Sequence, residues 1–329
     1  MIKKLVIVFF AIFLLLGEKQ VFAQDPEFSQ FYANPLYLNP AFAGASVCPR
    51  IILNYRNQWP SISGTFVTYD ASFDQHIDKI AGGVGVMFMG DRQGEGVINT
   101  YNLSAMYSYR LDLSRKWALK AALQATYAQK SLDWDKLSFG DQIHPRYGFV
   151  FNSSETKPGS LTKGYADFSS GVILYSEDLF AGVAVHHMTE PQEGFISISH
   201  LPVKLTIHAG GVIGLRKKNT RGRTIEDPTI SPNIIYQQQL NFHQLDYGFY
   251  LNKYPFVGGV WYRQNFESSD AFIVLFGIMY DFFKFGYSYD LTVSKLTNVT
   301  GGAHEVSVAF QLKCPDKRRR IKSISCPSF

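Results

Sequence analysis

The stretch YNLSAMYSYRL, residues 101–111, decides the fold class because apolar and polar side chains alternate along it. Its odd positions are apolar or aromatic: Tyr101, Leu103, Ala105, Tyr107, Tyr109 and Leu111. Its even positions are mostly polar: Asn102, Ser104, Met106, Ser108 and Arg110. A period of two indicates a β-strand whose two faces meet different surroundings. Residues 66–73, 117–130 and 283–291 repeat this pattern.

The length of these segments separates two classes of all-β protein. Strands of soluble sandwiches are usually about 5–6 residues long and present a mostly aliphatic face to the core. Many of the alternating segments here run for about 9–13 residues, a length typical of strands that cross a membrane. Aromatic residues such as Trp117 and Tyr127 stand near their ends, as in the girdles of membrane barrels. We therefore predict an all-β, transmembrane barrel of the outer-membrane type.

We predict about fourteen antiparallel strands, an even number as bacterial barrels require. They lie near residues 49–59, 65–73, 81–91, 97–110, 117–130, 165–176, 179–188, 203–215, 229–236, 241–252, 256–264, 271–281, 283–291 and 303–313. With a periplasmic N-terminus, the periplasmic turns are short except at residues 216–228. The long connections, residues 132–164, 189–202 and 292–302, then all fall on the extracellular side. Both termini are predicted to be periplasmic.

The first residues carry the pattern of an export signal. Lys3 and Lys4 precede the apolar residues 5–16, and a small-residue site ends at Ala23. The apolar run is too short to cross a ~30 Å hydrocarbon core as a helix, so a retained anchor is the weaker alternative. The predicted regions are a signal peptide (1–23), an N-terminal extended segment in the lumen or at the periplasmic rim (24–48), a β-barrel (49–313) and a basic periplasmic tail (314–329).

The rest of the sequence shows no pattern that is typical of a catalytic, metal-binding or nucleotide-binding site. The formal net charge of +5 is modest and does not indicate nucleic-acid binding. His186 and His187 are neighbours in a predicted strand and would point to opposite faces, which favours structural roles over a shared metal ion. Gly82, Gly83 and Gly85 lack the Lys-Ser/Thr of a phosphate loop and indicate a bend or a close backbone approach. We expect no enzymatic activity, cofactor or metal.

Two basic clusters and three cysteines are predicted to lie on the periplasmic side. The clusters contain Arg216, Lys217, Lys218, Arg318, Arg319 and Arg320. They are either solvated ends that contact anionic lipid head groups or a docking site for an acidic periplasmic partner. Cys48 precedes the first strand and Cys314 ends the last, while Cys326 lies in the tail. A disulfide that ties down the tail is predicted, and the sequence leaves its connectivity open.

The N-terminal segment is rich in aromatic residues and contains two Asn-Pro pairs. Its candidate packing residues are Phe28, Phe31, Tyr32, Asn34, Pro35, Tyr37, Asn39 and Pro40. The Asn-Pro pairs favour an extended, turn-rich chain over a regular helix or a central strand. Because so many aromatic side chains would not stay exposed to water, we hypothesise that the segment enters the lumen as a plug. The alternative is that it covers the periplasmic rim.

Several stretches resemble the PorP/SprF family of type IX secretion membrane proteins. They are DPEFSQFYANPLYLNPAFAG at residues 25–44, NYRNQW at 54–59, SFGDQI at 138–143, GYSYDLTVSKL with TGGAHEVS within 286–307, and LKCP at 312–315. The resemblance spans nearly the whole mature chain, and its N-terminal and TGGAHEVS stretches are the most specific.

The resemblance implies an outer-membrane barrel of the Bacteroidota that works with periplasmic components of the type IX apparatus. Some members are needed for secretion or surface attachment of large adhesins, including those used in gliding motility. The implied partners are outer-membrane lipids and a large secreted surface protein on the extracellular side. A passive channel or a transporter of hydrophobic substrates is the alternative function, and an outer-membrane lipase is a third class.

Overall fold

The chain forms a closed antiparallel β-barrel in a computed structural model that describes residues 25–46, 48–216, 226–266, 268–280, 282–293 and 300–313. Fourteen barrel strands lie in this part of the chain. They are β1 (Arg50–Gln58), β2 (Phe66–Ile77), β3 (Gly82–Gln93), β4 (Ile98–Asp112), β5 (Ala118–Leu132), β6 (Thr162–Tyr175), β7 (Leu179–His186), β8 (Lys204–Gly211, continued by Ile213–Gly214), β9 (Thr229–Gln239), β10 (Phe242–Lys253), β11 (Phe256–Asn265), β12 (Ser268–Tyr280), β13 (Phe283–Thr292) and β14 (Ala303–Gln311).

Each strand pairs with its sequence neighbours, and β1 pairs with β14 to close the sheet. The closing ladder runs from Arg50 opposite Gln311 to Gln58 opposite Ala303. Closure pairs the first strand with the last, which is how a strand-built protein can satisfy its backbone groups in a membrane. The prediction of about fourteen antiparallel strands is confirmed, and each predicted strand corresponds to one observed strand.

The faces of the strands are inverted relative to a soluble protein. On β5, Leu123 and Tyr127 point outward and are 68% and 58% exposed, whereas Lys120 and Gln124 point inward and are buried. The same alternation gives an outer surface of Leu, Val, Ile, Phe and Tyr around the whole barrel. An apolar outer band with a polar interior is the arrangement of barrels that lie in lipid. No helix of the described residues is long and apolar enough to cross a membrane.

The two ends of the barrel differ in the length of their connections. One end carries residues 133–161 and 187–203 and is called the long-loop end here. The other end carries tight turns such as residues 176–178 and 254–255 and is called the short-turn end. In the 133–161 connection, Ile143–His144 pairs with Gly148–Phe149 as a small hairpin outside the barrel sheet.

Strand β7 is short, and this lets one loop fold into the barrel. β6 pairs with β5 along its whole length but with β7 only over residues 170–175. The chain leaves β7 at His187, whose backbone is left-handed with φ of 59°. The following loop turns inward, so that Glu193 and Leu201 are buried. The wall at this point is therefore lined by a loop instead of a strand.

Candidate functional site

Residues 25–46, called the lumenal segment below, lie inside the barrel and pass through most of its length. Near the long-loop end Asp25 contacts His187, which follows β7 (2.8 Å). Further along, the Ser29 hydroxyl donates to Asp290 on β13 (2.5 Å). Near the short-turn end the Gly44 N–H donates to Asp74 on β2 (2.8 Å). The segment therefore contacts the wall at both ends before it joins β1.

The two Asn-Pro pairs of the lumenal segment each begin a short helical turn. Helix α1 (Pro35–Leu38) and a 3₁₀ turn (Pro40–Phe42) both start at a proline, whose missing N–H is not needed at that position. The Asn39 side chain accepts a hydrogen bond from the Ala41 N–H (2.9 Å), which caps the second turn. The turn-rich chain expected from the sequence is present, although one turn of it is α-helical.

All eight candidate packing residues of the segment lie in the lumen. Phe28, Phe31, Tyr32, Asn34, Pro35, Asn39 and Pro40 are buried, and Tyr37 is partly buried. The rings of Phe31 and Tyr32 lie 5.0 and 6.3 Å from that of Trp261 on β11. Aromatic contacts of this kind stabilise beyond the area that they bury. Whether the segment acts as a plug remains a prediction.

Glycines on the wall make room for the segment. A Cβ at Gly171 on β6 would lie 2.1 Å from the Asn39 Oδ1 atom, so no larger residue fits without a shift. A Cβ at Gly83 would lie 2.5 Å from the Gly44 Cα. The predicted interpretation of the glycine-rich start of β3 as a place of close backbone approach therefore agrees with the structure. Gly44 itself has φ of +60°, which suits a residue without a side chain.

A buried ionic network holds the segment at Ser29 and Gln30. Arg56 on β1 contacts Asp290 (3.0 Å) and Glu305 (3.2 Å), and Arg263 on β11 contacts the same Asp290 (3.0 Å). Both guanidinium groups donate to the Ser29 hydroxyl, at 2.6 and 3.0 Å. The Ser29 and Gln30 N–H groups donate to Glu305. Buried charges need such partners. The segment therefore supplies hydrogen bonds that the charged side chains of the wall do not obtain from one another.

Sequence analysis did not single out Arg56, Arg263, Asp290 or Glu305 as site residues. Three of them nevertheless lie in stretches quoted for the family resemblance: Arg56 in NYRNQW, Asp290 in GYSYDL and Glu305 in TGGAHEVS. Their inward position in alternating strands was the available signal, because a charge that faces a lumen needs a partner there. What the sequence did not contain was the identity of that partner.

A second ionic contact fixes the first described residue. The His187 ring contacts Asp25 and Asp167, each at 2.8 Å. Burial lowers the pKa of His187, but the charges and hydrogen bonds of the two carboxylates outweigh it and raise the pKa to about 10. Burial in turn raises the pKa of Asp25, yet its hydrogen bond and ion pair with His187 bring it well below its usual value. The pair is therefore charged at neutral pH.

The path of the segment bears on the prediction that both termini are periplasmic, which concerns residues outside the described ones and stays a prediction. Asp25 lies at the long-loop end, whereas Lys313 follows β14 at the short-turn end. The first and last described residues are thus at opposite ends of the barrel. The segment passes through the lumen between these ends, where its polar groups find partners on inward faces of the wall such as Asp290 and Asp74.

The expectation that the adjacent histidines point to opposite faces was wrong, while their structural roles stay a prediction. His186 and His187 both line one cavity, with ring centroids 6.4 Å apart. Strand alternation does not separate them, because His187 has left the strand with a positive φ. No group of three or more His, Cys, Asp or Glu residues in the described part of the chain has the geometry of a metal site.

The remaining candidate residues are only partly described. Cys48 is disulfide-bonded, while Cys314 and Cys326 lie outside the described residues. In the first basic cluster Arg216 is exposed at the short-turn end. Lys217, Lys218, Arg318, Arg319 and Arg320 lie outside the described residues, as do the predicted signal peptide and the basic tail.

A cavity lies between the lumenal segment and the wall, toward the long-loop end. Its empty space, counted into the solvent at its mouth, is about 910 Å³. Asp25, Pro26 and Tyr37 of the segment form one side, and inward residues of β3, β4, β5 and β6 form the other. Glu193 and Leu201 of the infolded loop also line it. The segment therefore fills part of the lumen and leaves this part open.

A closed fourteen-stranded barrel with an apolar exterior, a charged interior and a chain segment in its lumen defines an integral membrane protein of the outer-membrane barrel class. The family described as "Type IX secretion system membrane protein PorP/SprF" matches residues 20–310. The chain belongs to this family, and the predicted membership is confirmed. No curated protein matches the chain in sequence.

Solved structures resemble the chain in fold. The Ralstonia pickettii toluene transporter TbuX is 11% identical with a TM-score of 0.50, over 85% of this chain and 93% of that one. A Pseudomonas aeruginosa FadL homologue is 10% identical with a TM-score of 0.40, over 83% and 94% of the two chains. At these identities the likeness to TbuX establishes the barrel fold alone.

Proposed function

We propose that this protein is a non-enzymatic outer-membrane component of type IX secretion that assists the secretion or surface anchoring of a large secreted protein such as an adhesin. In this proposal the long-loop end is extracellular and the short-turn end is periplasmic, as in bacterial barrels generally. Family membership supports the link to type IX secretion. The observation that supports the anchoring role is that the chain's own segment occupies the lumen. The loops at the long-loop end are then the surface that remains open to a partner.

The loops at the long-loop end offer apolar side chains to a partner. Tyr147, Phe149 and Phe151 of the hairpin connection are 70%, 63% and 52% exposed, and Ile196 and Ile198 of the neighbouring loop are 80% and 77% exposed. Exposed aromatic and aliphatic groups away from the lipid-facing wall are a common feature of protein interfaces. We propose that these two loops contact the secreted protein.

The basic clusters are proposed to face periplasmic components of the type IX apparatus. Arg216 is exposed at the short-turn end. Its sequence neighbours Lys217 and Lys218 and the tail residues Arg318, Arg319 and Arg320 would add to the same positive surface. Such a surface would steer an acidic partner, and reversing its charge should weaken that interaction more at low salt than at high salt.

The second candidate function is a passive channel or a transporter of hydrophobic substrates. The open cavity beside the segment and the fold shared with the toluene transporter favour it. Against it stand the charged residues that line part of that cavity, which include Asp91, Lys130 and Glu193. A hydrophobic substrate would displace water from these charged groups without offering them a polar partner, which is unfavourable.

Affinity purification from the native envelope separates the two functions. The anchoring proposal expects a large secreted protein to co-purify, and expects Phe149→Ser to reduce its amount. Phe266→Ser is the matched control, because Phe266 is 68% exposed in a different connection at the same end. A preparation that carries no secreted protein, together with steady ion conductance in a planar bilayer, would contradict anchoring and favour the channel.

A further inference from the structure

Strand β6 extends beyond its neighbour β7 at the long-loop end. β5 pairs with β6 along its whole length, whereas β7 pairs with it only over residues 170–175. The last backbone contact on that side runs from the Met188 N–H to the Phe168 carbonyl (2.9 Å). Residues 162–167 of β6, called the open edge below, therefore have a strand on one side only. At about 3.3 Å per residue, the open edge is about 20 Å long.

The hydrogen-bond pattern shows which backbone groups face the open edge. In an antiparallel sheet, successive residues direct their N–H and C=O groups to opposite neighbours. The Leu132 N–H donates to the Leu161 carbonyl (2.9 Å), so the odd residues of β6 bond to β5. The even residues bond to the other side, as the Phe168 carbonyl does. Gly164 and Ala166 thus direct both backbone groups away from β5, and among the described residues neither has a hydrogen-bond partner there.

The loop that follows β7 does not cover this edge. It passes inside the wall, where the Thr189 hydroxyl donates to the inward Asp167 (2.9 Å) and Glu193 pairs with Lys130 (2.9 Å). The even residues of the open edge are exposed. An exposed strand edge with free N–H and C=O groups is a place where another extended chain can pair.

The open edge lies at the aromatic girdle near the long-loop end. Ala166 lies opposite Tyr127 of β5, whose side chain is 58% exposed on the outer face. Rings at such positions mark the boundary between lipid and water in membrane barrels. Thr162 and Gly164 lie further toward the long-loop end. Because unpaired backbone groups are costly in hydrocarbon, this position at the boundary lets water or a protein partner satisfy them.

A second copy of this chain does not fit the open edge. Barrel strands tilt by about 35–45° from the membrane normal. Two copies that meet through the same edge in one membrane are related by a two-fold axis along that normal, so their β6 strands would cross at about 70–90°. Strands that pair in a sheet are rotated by only about 10–35° relative to one another. The open edge therefore suits an extended segment of a different protein.

We propose that the open edge binds an extended segment of the secreted protein, which adds a strand where β7 would continue. This proposal rests on the anchoring function proposed above and names the contact through which the partner is held. Because Ala166 has a small outer side chain, the added strand has room there for a β-branched or aromatic residue. Ile196 and Ile198 of the loop after β7, exposed at the same end, extend the contact surface.

Site-specific photo-crosslinking of the full-length protein in its native envelope tests the contact. The photoreactive residue p-benzoylphenylalanine replaces Ala166 and, as the matched control, Tyr101. Tyr101 is 38% exposed on the outer face, and the strand register places it level with Gly164 on the far side of β5. The secreted protein that co-purifies with the wild type is expected to crosslink at position 166 through one segment of its chain, and not at position 101. Equal crosslinking at the two positions would overturn the edge contact.

Two substitutions at one position separate backbone pairing from side-chain contact. Ala166→Pro removes an N–H that faces the open edge and keeps the hydrogen bonds between β6 and β5, so the barrel should fold, as judged by heat-dependent gel mobility. The loss of one hydrogen bond should reduce the co-purified protein about fivefold to tenfold. Ala166→Val is the matched control, because it keeps the N–H and should retain the partner. If Ala166→Pro does not fold, Thr162→Pro gives the same test at the first residue of the strand.

The failure of this contact can be told apart from the failure of the function on which it rests. A wild-type preparation without any secreted protein would overturn both. A secreted protein that co-purifies equally with the wild type and with the folded proline variant, and that does not crosslink at position 166, would leave anchoring intact and overturn the edge contact.

Discussion

Arg263→Met removes one of the two guanidinium groups that hold the lumenal segment and keeps a side chain of similar length. Arg263 is buried and contacts Asp246 (3.3 Å), Asp290 (3.0 Å) and Glu27 of the segment (3.6 Å), and it donates to the Ser29 hydroxyl. Without it, several carboxylates in one region of the lumen depend on a single remaining cation. The variant therefore tests whether the segment is held by ions or merely enclosed by the wall.

The expected cost follows from which carboxylate loses its only cation. Asp290 keeps Arg56 at 3.0 Å, whereas Asp246 keeps only the amide of Gln244 (3.0 Å). Breaking one buried pair so that a charge stays unpaired costs about 3–5 kcal/mol. We expect that cost once, because Asp290 is still compensated, and because Glu27 and Asp270, which also lose Arg263, are 23% and 35% exposed to solvent. With a denaturant slope of about 2 kcal/mol/M, the urea midpoint should fall by about 2 M.

Urea unfolding in detergent micelles, followed by heat-dependent gel mobility, measures this change. Arg110→Met is the matched control, since Arg110 pairs with Asp112 (2.8 Å) at the rim and the Asp112 side chain is 64% exposed. The Arg110 side chain is 12% exposed, but the Asp112 carboxylate that would lose its partner is open to water, so the cost should be about 0–1 kcal/mol and this midpoint should move little. Equal midpoints for the two variants would refute the reasoning. A double variant with Ser29→Ala should be less destabilised than the sum of the single changes, because the groups share one network.

Four further predictions concern the lumenal segment. An epitope placed directly before Asp25 should be reached by antibody on intact cells, whereas one after residue 329 should not; periplasmic exposure of both would contradict the path through the lumen. Deletion of residues 25–44 should raise single-channel conductance in planar bilayers, and an unchanged conductance would exclude a plug. Gly171→Val should destabilise the fold by about 1–3 kcal/mol through its clash with Asn39, unlike Gly258→Val, whose added Cβ meets nothing nearer than 4.0 Å. The pKa of His187 is raised from 6.5 to about 10, so the contribution of its charge is complete below about pH 6.5 and is lost as the pH rises through about 10. The pKa of Asp25 is lowered from 3.8, so the contribution of its charge is complete above that value and is lost in acid. Antibody binding to the epitope should therefore be constant near neutral pH and rise above about pH 10, and a rise between about pH 6 and 8 would contradict the charged pair.

The sequence alone determined the barrel, its strand count and the two kinds of connection. These properties are local. Alternation such as that of residues 101–111 indicates that the two faces of a strand have different surroundings, and the length of each turn is read from the residues between consecutive strands. The Asn-Pro pairs likewise indicated short turns, because proline restricts its own backbone and that of the residue before it.

Only the tertiary structure decided what fills the barrel and which end each group reaches. Ser29, Arg56, Asp290 and Glu305 are far apart in sequence and meet because β1 closes against β14 around the segment. Alternation shows that a side chain faces inward but not what it meets there, and it fails where a single positive φ turns His187 into the cavity. The direction of the segment through the lumen depends on partners contributed by many strands, so it exists only once the barrel is closed.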